Sequence, residues 1–201
     1  MKASLFFVIV SLGFLLCATV IPSQAEEIVP RLTVGTQEVG LSAGYLLPNR
    51  LTTDHTTKQS GPAFMPSWAI VLTDPIGSGW YRGQILLGAE IVYIQFERPE
   101  VTHGVGFTPK IKYLFEGTHR LRPYIEFAGG PFWTDLGDRV PEESSQFNFI
   151  LTAGGGISWF VTSQLSLNAG YRFHHISNAG TSSPNLGLNS SLPYGGFTFY
   201  F

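Results

Sequence analysis

Charge is scarce in this chain. Among 201 residues there are 12 basic and 14 acidic side chains, so 13% of positions are charged and the net charge is -2, about half the usual charged fraction of roughly 25%. A nucleic-acid binder would carry a basic excess, and that class is excluded. There is one cysteine, Cys17, which leaves neither a disulfide framework nor a thiolate metal site. Long apolar runs are absent after residue 20, because Gly and Pro interrupt every later candidate, and a spanning helix needs about 20 residues. In excess are glycine, with 23 residues, and aromatics, at 14%. The 44% hydrophobic content is enough to bury one apolar surface, and what matters is which solvent that surface meets.

The N-terminus constrains the answer. Met1-Lys2 precedes an apolar run from Leu5 to Val20, then Ile21-Pro22-Ser23-Gln24-Ala25, with small residues at the two positions that matter for a cut after Ala25. This is the pattern of a secretory signal peptide. The sequence therefore predicts a signal peptide over 1–25 and one domain over 26–201. Cys17 leaves with the signal, and Leu16 in front of it argues against lipidation.

What recurs through the remaining chain is alternation. From Phe149 the odd positions read Phe149, Leu151, Ala153, Gly155, Ile157, Trp159 and Val161, against Asn148, Ile150, Thr152, Gly154, Gly156, Ser158 and Phe160. Leu165, Leu167, Ala169, Tyr171 and Phe173 stand similarly against Ser166, Asn168, Gly170, Arg172 and His174. Period two means strands with one apolar and one hydrophilic side. Eight such segments are predicted, near Arg31–Leu46, Met65–Thr73, Arg82–Phe96, Val105–Phe115, Leu121–Trp133, Gln146–Val161, Gln164–Ser177 and Leu192–Phe201. Long connections around Leu47–Phe64, Glu97–Gly104, Thr134–Ser145 and Ala179–Ser191 alternate with shorter ones at Asp74–Tyr81, Glu116–Arg120 and Thr162–Ser163.

An even number of strands, long and short turns on opposite rims and a secretory signal predict an eight-stranded antiparallel transmembrane β-barrel of the bacterial outer membrane. Phe197, Phe199 and Phe201 share one face of the last strand, and a terminal Phe after alternating aromatics resembles the assembly signal of bacterial outer-membrane proteins. A soluble lipocalin-like barrel also has eight strands, but it would place its apolar side chains inside and its charges outside. Low charge and the aromatic terminus decide for the membrane. Glu90, Lys110, Lys112, Arg122, Glu126 and Arg172 fall on hydrophilic faces, and a small barrel closes its interior by pairing them.

If the first strand starts in the periplasm, the seventh ends at the cell-surface rim with Tyr171-Arg172-Phe173-His174-His175-Ile176-Ser177-Asn178-Ala179-Gly180. His175 and Ser177 share the apolar face, so they look toward lipid, while His174 points into the barrel. Polar groups on a lipid-facing wall are costly unless they have a function or lie in the interface. A Ser and a His two residues apart on a strand are roughly 7 Å apart at Cα, within rotamer reach of the pair needed for nucleophilic ester cleavage.

His175-Ile176-Ser177-Asn178-Ala179-Gly180, followed by Asn185-Leu186-Gly187-Leu188-Asn189-Ser190 before a final aromatic strand, resembles the lipid A 3-O-deacylase family (PagL-like acyloxyacyl hydrolases). The resemblance implies an outer-membrane esterase that removes the acyl chain ester-linked at position 3 of lipid A, with Ser177 as nucleophile and His175 as general base. The family pattern completes the triad with a Glu, and Asn189 stands at the matching position. An amide oxygen there accepts the imidazole N–H and holds its tautomer, without the charge of a carboxylate. Glu142 or Glu143, in the preceding surface loop, is the alternative source of that carboxylate. Backbone amides of Asn178, Ala179 and Gly180 are the candidate oxyanion donors, and a strand-ending turn is the competing reading of the same residues.

Arg172, His174, Lys58 and Arg50 are candidate contacts for lipid A phosphates. His55, His103 and His119 lack metal-ligand spacing, and Gly154-Gly155-Gly156 lies inside a strand, which excludes a phosphate loop. The expected partners are lipopolysaccharide and outer-membrane lipids, with a homodimer left open. No cofactor, metal or nucleic acid is expected. The rival reading is a non-catalytic barrel with a structural or adhesive role.

Overall fold

The computed structural model describes residues 32–49, 58–117 and 120–201. The expected signal segment with Cys17, the phosphate candidate Arg50, and His55 and His119 lie outside the described residues. Eight strands follow one another: β1 (Gln37–Pro48), β2 (Gly61–Val71), β3 (Gly83–Phe96), β4 (Thr102–Phe115), β5 (Leu121–Thr134), β6 (Phe147–Phe160), β7 (Leu165–Ser177) and β8 (Leu188–Tyr200). Each pairs antiparallel with its chain neighbours, and β1 pairs with β8, so the sheet closes on itself.

Closure decides which face is which. On β4, Val105, Phe107 and Ile111 are exposed on the outer wall, while Thr108, Lys110 and Lys112 are buried inside. The same alternation puts Leu41, Trp68, Ile91, Phe127, Ile157 and Phe197 outside. Apolar side chains outside and charges inside are the inverse of a soluble barrel. The outer wall is stable only against hydrocarbon, so the lipocalin alternative falls.

The inward charges neutralise one another. Arg172 donates to both oxygens of Glu90, Nη1 to Oε1 at 2.6 Å and Nη2 to Oε2 at 3.0 Å, and through Nε to Glu126 Oε1 at 2.7 Å. Lys110 Nζ lies 3.3 Å from Glu90 and 3.9 Å from Glu126, and Lys112 pairs with Glu38. Toward the rim where odd-numbered strands end, the interior turns apolar, with Leu46, Ile94, Phe96, Phe132, Ile150 and Ile176 fully buried. Two of the glycines have a specific task. Tyr124, Gly156, Gly170 and Tyr194 form one row across β5, β6, β7 and β8. The tyrosines lean over the glycines until their hydroxyls meet at 2.7 Å. A Cβ at Gly170 would come within 2.5 Å of Tyr194, so a larger residue would force the tyrosine ring aside.

Besides β2, which starts at Gly61, four residues before the expected Met65, the strand starts differ from expectation by three residues or more at three places. β1 starts at Gln37, after a turn in which the Thr36 N–H bonds the Thr33 carbonyl. The ladder between β3 and β4 runs on through Gln95↔His103 and Phe96↔Thr102, which leaves only 97–101 as connection, while the turn between β2 and β3 extends over 72–82. The regular alternation of long and short connections is therefore broken. The third difference matters most. β8 begins at Leu188 and not at Leu192, because Ile176↔Leu188, His175↔Asn189, His174↔Ser190 and Phe173↔Ser191 are all paired. Asn189 thus belongs to a strand rather than to the loop in which the sequence reading put it.

Candidate active site

The outward parity of β7 carries Tyr171, Phe173, His175 and Ser177. His175 and Ser177 are half-buried at the rim end of the strand, between β6, where their partners are Leu151 and Phe149, and β8. Register places Asn189 directly across from His175. The two side chains meet at 2.7 Å, Nδ1 to Oδ1. Because an amide oxygen only accepts, this bond puts the proton on Nδ1 and leaves Nε2 with its lone pair. Ser177 lies one pleat further toward the rim on the same face, so the structure joins His175 to Asn189 directly and sets Ser177 beside them on the lipid-facing wall, with no hydrogen bond between Ser177 and His175 among the described residues.

Asn189 is itself clamped by residues that sequence reasoning missed. Its carbonyl accepts from the Asn49 N–H at 3.0 Å and from Gln59 Nε2 at 3.0 Å, and Gln59 Nε2 also reaches Ser190 Oγ at 3.1 Å. The ends of the connection between β1 and β2 thus hold the first residues of β8. No local pattern signals this, since Gln59 and Asn189 are joined only by tertiary structure.

The segment after Ser177 is a tight turn. The Thr181 N–H bonds the Asn178 carbonyl at 3.1 Å, and the two central residues, Ala179 (φ 54) and Gly180 (φ 79), are both left-handed, as in a type I′ turn. The Gly180 N–H is donated to Asn178 Oδ1 at 2.9 Å, and the Asn178 N–H to Asn185 Oδ1 at 3.0 Å. Two of the three predicted oxyanion amides are therefore already engaged inside the loop, and among the described residues Ala179 N–H is the one that is not. The competing turn reading describes how this backbone is built.

Gly187 (φ 75) covers the imidazole from above, and a Cβ added there would lie 2.6 Å from His175 Cε1. Gly187→Ala is expected to displace the ring and strain the backbone. Misplacement of about 1 Å costs on the order of a hundred-fold in rate. The turnover of that variant beside wild type, with the barrel folded in both, checks this; an unchanged rate would show that the ring has room to spare.

The connection 135–146 docks on the loop 178–187. Leu186 N–H bonds the Glu142 carbonyl at 2.9 Å, Ser144 Oγ reaches Ser182 Oγ at 2.7 Å and the Pro184 carbonyl at 3.1 Å, and Glu143 bridges Asn185. His175 Nδ1 is taken by Asn189, so neither Glu142 nor Glu143 occupies the third position directly. Two proposed phosphate contacts are corrected. Arg172 and His174 are 2% and 0% exposed, because even-numbered positions of β7 face the lumen, and neither is presented to a headgroup. Lys58 is exposed. His103 Nδ1 is bonded to the Tyr93 hydroxyl at 2.7 Å.

A closed barrel with an apolar outer wall, an ion-paired interior and a Ser/His/Asn cluster opening sideways at one rim defines an integral outer-membrane protein with a lipid-facing polar site. Residues 38–197 match the family described as lipid A 3-O-deacylase (PagL), and the chain belongs to that family. Among solved structures it is similar to the outer membrane enzyme PagL, at 21% identity and a TM-score of 0.56 over 81% of this chain and 98% of that one. It is also similar to Neisserial surface protein A (NspA), at 18% identity and 0.54 over 83% and 97%. These two likenesses concern the fold. No curated protein matches the sequence.

Proposed function

We propose that the chain hydrolyses the ester-linked 3-O-acyl chain of lipid A, with Ser177 as nucleophile and His175 as general base. The observation that carries this reading is the 2.7 Å bond from His175 Nδ1 to Asn189 Oδ1 on the lipid-facing wall, which leaves Nε2 free to accept the Ser177 proton. Ser177 Oγ attacks the ester carbonyl while its proton passes to Nε2. The tetrahedral intermediate then collapses, the C–O bond to the sugar breaks, and the leaving alkoxide takes the proton from Nε2. A water deprotonated by the same nitrogen releases the fatty acid from Ser177. The Ala179 N–H is the backbone donor this reading assigns to the carbonyl oxygen as it becomes negative. The substrate needs no desolvating pocket, because lipid A already lies in the leaflet that the wall faces. Residues 1–25 act as the export signal.

Purified barrel incubated with lipopolysaccharide is expected to remove one ester-linked acyl chain, read by mass spectrometry of the lipid A. Unchanged lipid A from folded protein would overturn the proposal. Asn189 orients the imidazole but lends no charge to it, so Asn189→Glu is expected to raise turnover about ten-fold, since a charge-assisted bond is about twice as strong as a neutral one. Asn189→Ala, measured in the same assay, is expected to lower it.

A further inference from the structure

The site lacks a carboxylate at its third position, yet one is buried in the connection docked on its loop. Glu143 is 3% exposed, and its backbone bridges Asn185. The carboxyl group faces the backbone N–H groups of Gly187 and Asn178, although neither oxygen makes a hydrogen bond of ordinary geometry among the described residues. Gly187 is the residue packed on the imidazole, and Asn178 follows Ser177 in the chain. Glu143 therefore stands behind the loop residues that cover His175 and follow Ser177. Resting on the deacylase reading above, we infer that Glu143 is a positioning residue that supplies from behind the loop the negative charge Asn189 lacks, stabilising the imidazolium of His175 as it forms.

The electrostatic setting agrees with this role. Burial pushes the Glu143 carboxyl up, the N–H groups of Gly187 and Asn178 oppose that, and Glu142 on the same loop raises it again, to about 7. The loop packed against it, 178–187, contains no titratable side chain; β7 contributes His175 on the outer face and the lumenal His174. A carboxyl whose value is raised is charged above about pH 7 and neutral below. The contribution of Glu143 is therefore present in alkaline medium and is lost as the pH falls through that value.

The test is the pH profile of acyl release from lipopolysaccharide by full-length protein, for wild type, Glu143→Gln, and Glu143→Gln combined with Asn189→Glu. Folding of each barrel is checked by its heat-dependent electrophoretic mobility. Glu143→Gln is expected to match wild type near pH 6, where both side chains are neutral, and to be on the order of ten-fold slower at pH 8. The added Asn189→Glu is expected to restore the rate, because a carboxylate at His175 Nδ1 makes the one behind Gly187 dispensable. Equal profiles for wild type and Glu143→Gln, or a loss of the same size at every pH, would overturn the inference while leaving the deacylase reading intact. Absence of acyl release by folded wild type at every pH would overturn the deacylase reading, and this inference with it.

Discussion

Ser177→Ala is expected to abolish acyl release, with a fall of about 10⁴-fold or more, and His175→Ala to do nearly the same, because members of a nucleophile–base unit fail together. Both side chains are half-buried on the outer wall, and Ser177 makes no contact with the ion-paired interior. The variants should therefore insert, fold and migrate as wild type does. The measurement is lipid A mass spectrometry from cells carrying each variant at matched expression. If either variant still removed an acyl chain, the nucleophile or the base would lie elsewhere on the barrel. The contrast between intact assembly and lost chemistry is the informative part, since a non-catalytic barrel predicts no difference in the lipid spectrum between any of these proteins.

Arg172 presents the opposite combination. It is 2% exposed and lies at the centre of the lumen, bonded to Glu90 and Glu126 and stacked 4.8 Å over the Tyr194 ring. Replacing it with Met leaves Lys110 as the one cation paired with the two carboxylates, at 3.3 and 3.9 Å, with the Tyr194 hydroxyl still donating to Glu126. Removing one partner of a buried ion pair costs about 3–5 kcal/mol, because the other charge stays desolvated. The expected result is a large drop in the denaturant midpoint of the folded barrel and reduced assembly in cells. Arg172→Met combined with Glu126→Gln should recover much of the loss, since it leaves Glu90 and Lys110 as a balanced pair at 3.3 Å and the penalty comes from uncompensated charge rather than from the missing guanidinium as such. A single variant as stable as wild type would mean that lumenal water, not Arg172, solvates those carboxylates.

How far the sequence could be read depended on the range of the interactions involved. The alternation in Leu165–Phe173 was enough to place strand β7 to within a residue, because side-chain parity is a local property of extended backbone. It also put His175 and Ser177 on one side. The same reasoning set the start of β8 four residues late: Leu188-Asn189-Ser190-Ser191 is mostly polar and looks like loop, and only pairing with 173–176 makes it strand. The phosphate roles considered for Arg172 and His174 failed for a related reason. A cation near a presumed site appears available in sequence, but its parity had already committed it to the lumen. Gln59 and Asn49 left no trace at all, since both reach the site from the connection between β1 and β2, and Glu143 was legible only as an acidic residue of a nearby loop, without its place behind the site.

The residue pattern by itself determined a two-sided all-β chain whose hydroxyl and imidazole share the apolar side, because alternation follows from backbone geometry whatever the surrounding fold. Closing the sheet decided the rest. Only the joining of β8 to β1 turned that side outward to lipid and gathered charges of both signs, Glu38, Glu90, Lys110, Lys112, Arg122, Glu126 and Arg172, inside. The register of β7 on β8 brought Asn189 to His175, and loop docking bridged Glu143 to Asn185. These contacts join residues distant in the chain, and their formation depends on ladder register and packing that no local spacing encodes.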